Sequence, residues 1–169
     1  MRRKRLGLII LVLILFISIG FAVLTINLNI QGGITFRDNV WDVHFANIEV
    51  ESGSTDEDTP IISSNDTTID FSVSFTRPGD YYEFYVDVVN AGTMDASIDE
   101  ITKTTLTGDY ATYLTYTTTY YNGDSIVAGD VLRAGTNKRI KIRVEYKYDV
   151  ASYVKLNDIN LTYSLKYLS

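Results

Sequence analysis

The hydrophobic pattern of the chain changes near residue 24. Residues 6–24 form a continuous apolar run without a charged residue or proline. About 20 such residues span a hydrocarbon core of about 30 Å as a helix, which satisfies its own backbone polar groups. From residue 25 onward, apolar and polar residues mostly alternate in short stretches, a period that is typical of strands. We therefore predict one N-terminal hydrophobic helix in residues 1–24 and a single all-β domain in residues 25–169.

The alternation is clearest in residues 138–148, where Ile140, Ile142, Val144 and Tyr146 alternate with charged residues. In residues 40–50, Trp41, Val43 and Phe45 share one side, and a change of phase predicts a bulge near residues 46–47. Residues 77–80 and 122–124 carry turn chemistry, and residues 51–66 are typical of an exposed loop. Strands are predicted over 25–30, 40–50, 68–76, 81–89, 96–106, 113–121, 138–148 and 158–168.

Strands at turn spacings of roughly 8–12 residues, without helices between them, indicate an antiparallel two-sheet sandwich. Parallel α/β folds are excluded because the crossover helices are missing from the pattern. An immunoglobulin-like and a jelly-roll topology both remain open.

Basic residues at positions 2–5 directly precede the apolar run, which keeps the N-terminus cytoplasmic and sends the rest of the chain outward. Gly20 and Ala22 are small residues two apart, so a signal peptidase is expected to cut between Ala22 and Val23. The alternative is a retained single-pass anchor through residues 6–24. The domain then lies at the extracellular face of the cell membrane, or is secreted after cleavage.

Charge restricts the partners of the exported part. Four of the 15 basic residues precede the apolar run and all 21 acidic residues follow it, which leaves a formal charge near −10. Such a surface does not attract nucleic acid. The chain has no cysteine, so its stability depends on its core rather than on disulfides.

The sequence offers few candidate catalytic residues. His44 is the only histidine, so a zinc site of the two-histidine type is excluded and no catalytic residue is predicted. The acidic clusters at 56–58 and 95–100 lack the spacing of a calcium loop. We expect solvated charge there, with weak calcium binding at most, and predict no cofactor, no metal centre and no enzymatic activity.

The abundance of tyrosine, with 13 residues in the chain, has two interpretations. Tyrosine is a good strand residue with a polar end, which explains its abundance without any ligand. The alternative is a flat aromatic face that binds carbohydrate. Its members would be Tyr81, Tyr85, Tyr113, Tyr116, Tyr120 and Tyr121.

The leader resembles those of bacterial exported proteins that are processed by SipW-type signal peptidases. Residues 67–98, with Pro78-Gly79-Asp80 and with a strand that ends in Asn90-Ala91-Gly92, resemble the TasA/camelysin group. The run 41–45 is similar to uncharacterised exported proteins of the same kind. The resemblance implies a jelly-roll domain on the cell surface, and some members assemble into biofilm matrix fibres. Camelysin is described as a metalloprotease, but no zinc-ligand set matches here.

These observations lead to two functional hypotheses. The first is an exported structural or adhesive protein of the bacterial cell surface, acting as a fibre subunit. After cleavage, its first strand would join the sheet edge of another copy, giving a homopolymer. That donor strand comprises Thr25, Ile26, Asn27, Leu28, Asn29 and Ile30. The alternative is a membrane-anchored ligand-binding sandwich for a glycan, a peptide or calcium.

Overall fold

The computed structural model describes residues 38–51, 55, 59–150 and 152–169. The predicted hydrophobic helix, the cleavage site at Ala22–Val23 and the donor strand at 25–30 lie outside the described residues. The same is true of the acidic cluster at 56–58.

The described residues form two antiparallel sheets that pack face to face, which confirms the predicted all-β sandwich. Sheet A has the strand order β1-β4-β8-β6, and sheet B has the order β2-β3-β9-β5-β7. A short helix, α1 (Asp109–Tyr113), precedes β6. The strands are β1 (Val43–Val50), β2 (Ile61–Ile62), β3 (Thr68–Phe75), β4 (Tyr81–Asn90), β5 (Ala96–Lys103), β6 (Leu114–Tyr120), β7 (Val131–Leu132), β8 (Asn137–Tyr146) and β9 (Leu156–Leu168).

The chain changes sheet at almost every connection. After β1 in sheet A it enters sheet B for β2 and β3, and from β4 to β9 it alternates between the two sheets. Among the described strands, β2 and β3 alone are neighbours both in sequence and in a sheet, and β2 has two residues. An immunoglobulin sandwich pairs long strands that are neighbours in sequence, so this order favours the jelly-roll alternative.

The core lies between the sheets and is filled by the inward residues of each alternating strand. On β8, Ile140, Ile142, Val144 and Tyr146 are all fully buried. Phe71 of β3 lies at the centre of an aromatic cluster, with ring centroids 5.0 Å from Phe84 and 6.0 Å from Tyr116. Aromatic pairs at such distances stabilise a core beyond the area that they bury.

Several local predictions can be compared with this structure. The bulge in β1 is confirmed, since its register with β4 shifts between Ala46 and Glu49 and Asn47 has a positive φ of 54°. Trp41 was wrongly placed with Val43 and Phe45, because β1 begins at Val43 and the Trp41 side chain is 44% exposed. The predicted loop 51–66 contains the short strand β2.

Candidate functional site

The segment that leads into β1 is hydrogen-bonded to the turn after β4. The Thr93 N–H donates to the Val40 carbonyl, and the Ala91 N–H donates to the Asp42 carbonyl, both at 2.9 Å. The Val40 N–H donates to the Thr93 hydroxyl at 2.9 Å, and that hydroxyl donates to the Asp38 carbonyl at 3.1 Å. We call this contact between residues 38–42 and 91–93 the entry clamp. It fixes residues 38–42 on the sandwich.

Two residues of the Asn90-Ala91-Gly92 motif allow the entry clamp to form. A Cβ atom on Gly92 would lie 2.4 Å from the Val40 carbonyl oxygen, so only glycine permits this approach. The Asn90 side chain is 1% exposed and donates to the Met94 and Leu132 carbonyls at 2.9 and 3.0 Å. Its oxygen accepts the Gly92 N–H at 3.1 Å. The motif therefore joins the entry segment to β4 and β7.

A groove of about 520 Å³ lies beside the entry clamp, between the start of β1 and the end of β9. We call it the entry groove. β1 is an edge strand of sheet A, and on its free side the Phe45 N–H donates to the Asp66 carbonyl at 2.6 Å. By alternation the backbone of Val43 faces the same side. Residues 41–44, 65–67 and 164–167 line the groove.

His44 lies on the wall of the entry groove, where its Nδ1 is 2.7 Å from a carboxylate oxygen of Asp42. The contact orients the imidazole ring along β1. Hydrolysis of the Ser-His-Asp type would also need a nucleophile within reach of the ring.

The opposite long edge of sheet A is covered. Lys103 donates from Nζ to the Tyr116 carbonyl of β6 at 3.1 Å, and its ammonium lies 5.2 Å from the centroid of the Tyr116 ring. Thr119 forms an isolated bridge with Ser125 at the end of the same strand. Lys103 belongs to β5 of sheet B, and its ammonium occupies a backbone carbonyl of β6 that pairing with another chain would need. The outer edge of β6 is therefore covered at two places, whereas the described residues cover that of β1 at Phe45.

The outer face of sheet A carries interlocked arginine, tyrosine and carboxylate side chains. Arg143 donates to Glu83 and Glu145, each at 3.0 Å, and its guanidinium lies 4.0 Å from the Tyr81 ring centroid. Tyr85 donates to Glu83 at 2.9 Å, and this hydrogen bond raises the pKa of Tyr85 to about 12. These contacts keep the charges paired and the rings fixed.

The predicted aromatic face is present only in part. Tyr81, Tyr85 and Tyr121 share the outer face of sheet A, with the Tyr85 and Tyr121 centroids 5.5 Å apart. Tyr116 is buried in the core, where its hydroxyl donates to the Thr162 carbonyl at 3.2 Å. Tyr120 alternates with Tyr121 and faces inward.

The described residues were also compared with the geometry of a metal site and of a membrane span. Within the described residues, no group of three or more His, Cys, Asp or Glu side chains is arranged to hold a metal ion. In the 95–100 cluster, Asp95 accepts the Ala134 N–H at 2.9 Å and Asp99 pairs with Lys166 at 2.6 Å. The helix in the described part of the chain is too short and too polar to cross a membrane.

Comparison of the chain with protein-family models, with curated proteins and with solved structures finds no match.

Proposed function

We propose that this chain is an exported structural protein of the bacterial cell surface, of the TasA/camelysin kind, whose copies join by strand donation. Residues 25–30 of one copy would add to the sheet of the next copy. The observation that supports this proposal best is the entry clamp. Because the clamp fixes residues 38–42 on the sandwich, a preceding strand can transmit force to the whole domain.

The edge of β1, together with the entry groove, is the acceptor that the contacts favour. An added strand would pair with the outward backbone groups of β1 on either side of the Phe45–Asp66 hydrogen bond and place alternate side chains over the groove. Residues 25–30 would extend about 20 Å at about 3.3 Å per residue, a length that matches most of β1. The Lys103 cover on β6 makes the alternative long edge less suitable.

A donor and an acceptor at different places on one chain form a heterologous contact. Repeating such a contact gives a ring or an open filament. The jelly-roll domain then serves as a rigid repeating unit, and its formal charge near −10 keeps the unassembled protein soluble.

Two measurements test the proposal. Mass spectrometry of the protein recovered outside the cell is expected to give Val23 as its first residue. Electron microscopy of that protein is expected to show filaments, and deletion of residues 23–31 is expected to abolish them. A matched control replaces Thr25, Asn27 and Asn29 by serine, which leaves the apolar face of the donor intact and should preserve filaments. Monomers in the wild type, or unchanged filaments after the deletion, would contradict the proposal.

A further inference from the structure

A second cavity, of about 430 Å³, lies at the end of β6 beside a turn that is held by its own hydrogen bonds. The Tyr120 N–H donates to the Asp124 carbonyl and the Gly123 N–H donates to the Tyr120 carbonyl, both at 2.9 Å. The Asn122 side chain accepts the Asp124 N–H at 3.1 Å and donates to the Asp124 carboxylate at 2.7 Å. The turn is therefore formed before any ligand arrives, which lowers the entropy cost of binding.

The aromatic wall of this cavity is Tyr121, whose side chain is 65% exposed. Its ring meets Tyr85 edge-on at 5.5 Å, and the Arg139 guanidinium lies 5.2 Å and 6.0 Å from the two ring centroids. Arg139 is itself bound by the Glu49 carboxylate. One side of the Tyr121 ring is thus supported, while much of the ring remains open to a ligand.

The polar wall opposite carries balanced charge. Asp130 accepts the Tyr120 hydroxyl at 2.8 Å and the Val127 N–H at 3.0 Å, and these bonds hold its pKa below the ordinary value. Lys138 lies 4.8 Å from the Tyr120 ring centroid. The two carboxylates and two cations of the lining cancel. The lining includes Tyr121, Asn122, Asp124, Asp130, Lys138 and Arg139.

We propose that this cavity binds a neutral glycan. The apolar face of a sugar ring packs on an exposed tyrosine, and its hydroxyl groups bond to amide, carboxylate and guanidinium groups around it. The balanced charge offers no net attraction to a polyanion or a polycation. The volume lies within the usual range of small-ligand sites, about 300–1,000 Å³.

The proposal does not depend on filament formation, because the cavity and the entry groove share no lining residue.

Affinity electrophoresis of the full-length protein tests the site, in native gels containing dextran, galactomannan or mixed-linkage β-glucan. At least one of these neutral polysaccharides is expected to retard the protein. Tyr121→Ala should weaken the retardation about tenfold, which corresponds to about 1.4 kcal/mol. The matched control is Tyr153→Ala, since Tyr153 is 66% exposed and lies outside the cavity lining. It should bind as the wild type does.

Circular dichroism should show the same fold for both variants. Retardation only by polygalacturonate, an anionic polysaccharide, would overturn the proposal. The absence of retardation by all three neutral polysaccharides would also overturn it, as would equal binding by Tyr121→Ala and the wild type.

Discussion

Replacing Gly92 by alanine tests the entry clamp. The added Cβ atom would lie 2.4 Å from the Val40 carbonyl oxygen and 3.0 Å from the Asp42 nitrogen, so backbone must move. The two backbone hydrogen bonds of the clamp, at Val40 and Asp42, are the first that this movement breaks. At about 1 kcal/mol each, their loss lowers the free energy of unfolding by about 2 kcal/mol. With a urea m-value of about 2 kcal/mol/M, the midpoint falls by about 1 M.

The only tryptophan of the chain, Trp41, lies inside the clamp and reports on it directly. Its native fluorescence should shift to longer wavelength in Gly92→Ala, because the released segment becomes more exposed. Gly129→Ala is the control. Gly129 has a φ of 89° with nothing within 4 Å of an added Cβ, so alanine costs about 1–2 kcal/mol through backbone strain alone. This control should lower the midpoint without changing native Trp41 emission. An unchanged midpoint and emission in Gly92→Ala would refute the clamp.

Three further substitutions test other contacts. Although burial acts to raise the pKa of Asp80, hydrogen bonds from residues 76–77 lower it, so the carboxylate stabilises the fold above its ordinary pKa of 3.8. Asp80→Asn should therefore lower the urea midpoint at pH 7 by the equivalent of about 1 kcal/mol. The difference in free energy of unfolding between this variant and the wild type should shrink as the pH falls below 3.8. An equal difference at pH 3 would contradict this. Asn90→Ala should cost about 2–4 kcal/mol in urea unfolding, since it leaves buried backbone groups unpaired, and a cost below about 1 kcal/mol would count against its structural role. Lys103→Ala should expose the Tyr116 carbonyl on the β6 edge and increase concentration-dependent light scattering, whereas scattering equal to that of the wild type would show that the edge needs no cover.

Local strand structure could be predicted because a period of two assigns each residue to a face. The inward positions on β4 and β8 and the bulge after Ala46 follow directly from that pattern. Strand partners could not be predicted, because the same alternation fits a hairpin within one sheet and a crossing between two sheets. The turn at 122–124 illustrates this, since it leads from β6 in sheet A towards β7 in sheet B.

The candidate site was less predictable than the fold. Tyr120 and Tyr121 look equivalent in the sequence, yet adjacent residues of a strand face opposite sides, and only the register with β8 shows which one is exposed. Asn90 and Gly92 were recognisable as the end of a strand. The contact of Gly92 with Val40, about 50 residues earlier, depends on the approach of two distant segments. No local pattern records such a contact.

Cross-linking between copies tests strand donation most directly, and the chain is suited to it because it has no cysteine. Exported protein carrying Asn27→Cys is mixed with exported protein carrying Asn65→Cys, at the rim of the entry groove, and treated with a short bis-maleimide. We predict a covalent dimer that contains one copy of each variant. We predict no such dimer when residues 23–31 of the donor copy are deleted except for the cysteine at position 27. Failure to form the mixed dimer while filaments are present, or an equal yield with a cysteine at exposed Tyr153 in place of Asn65, would contradict it.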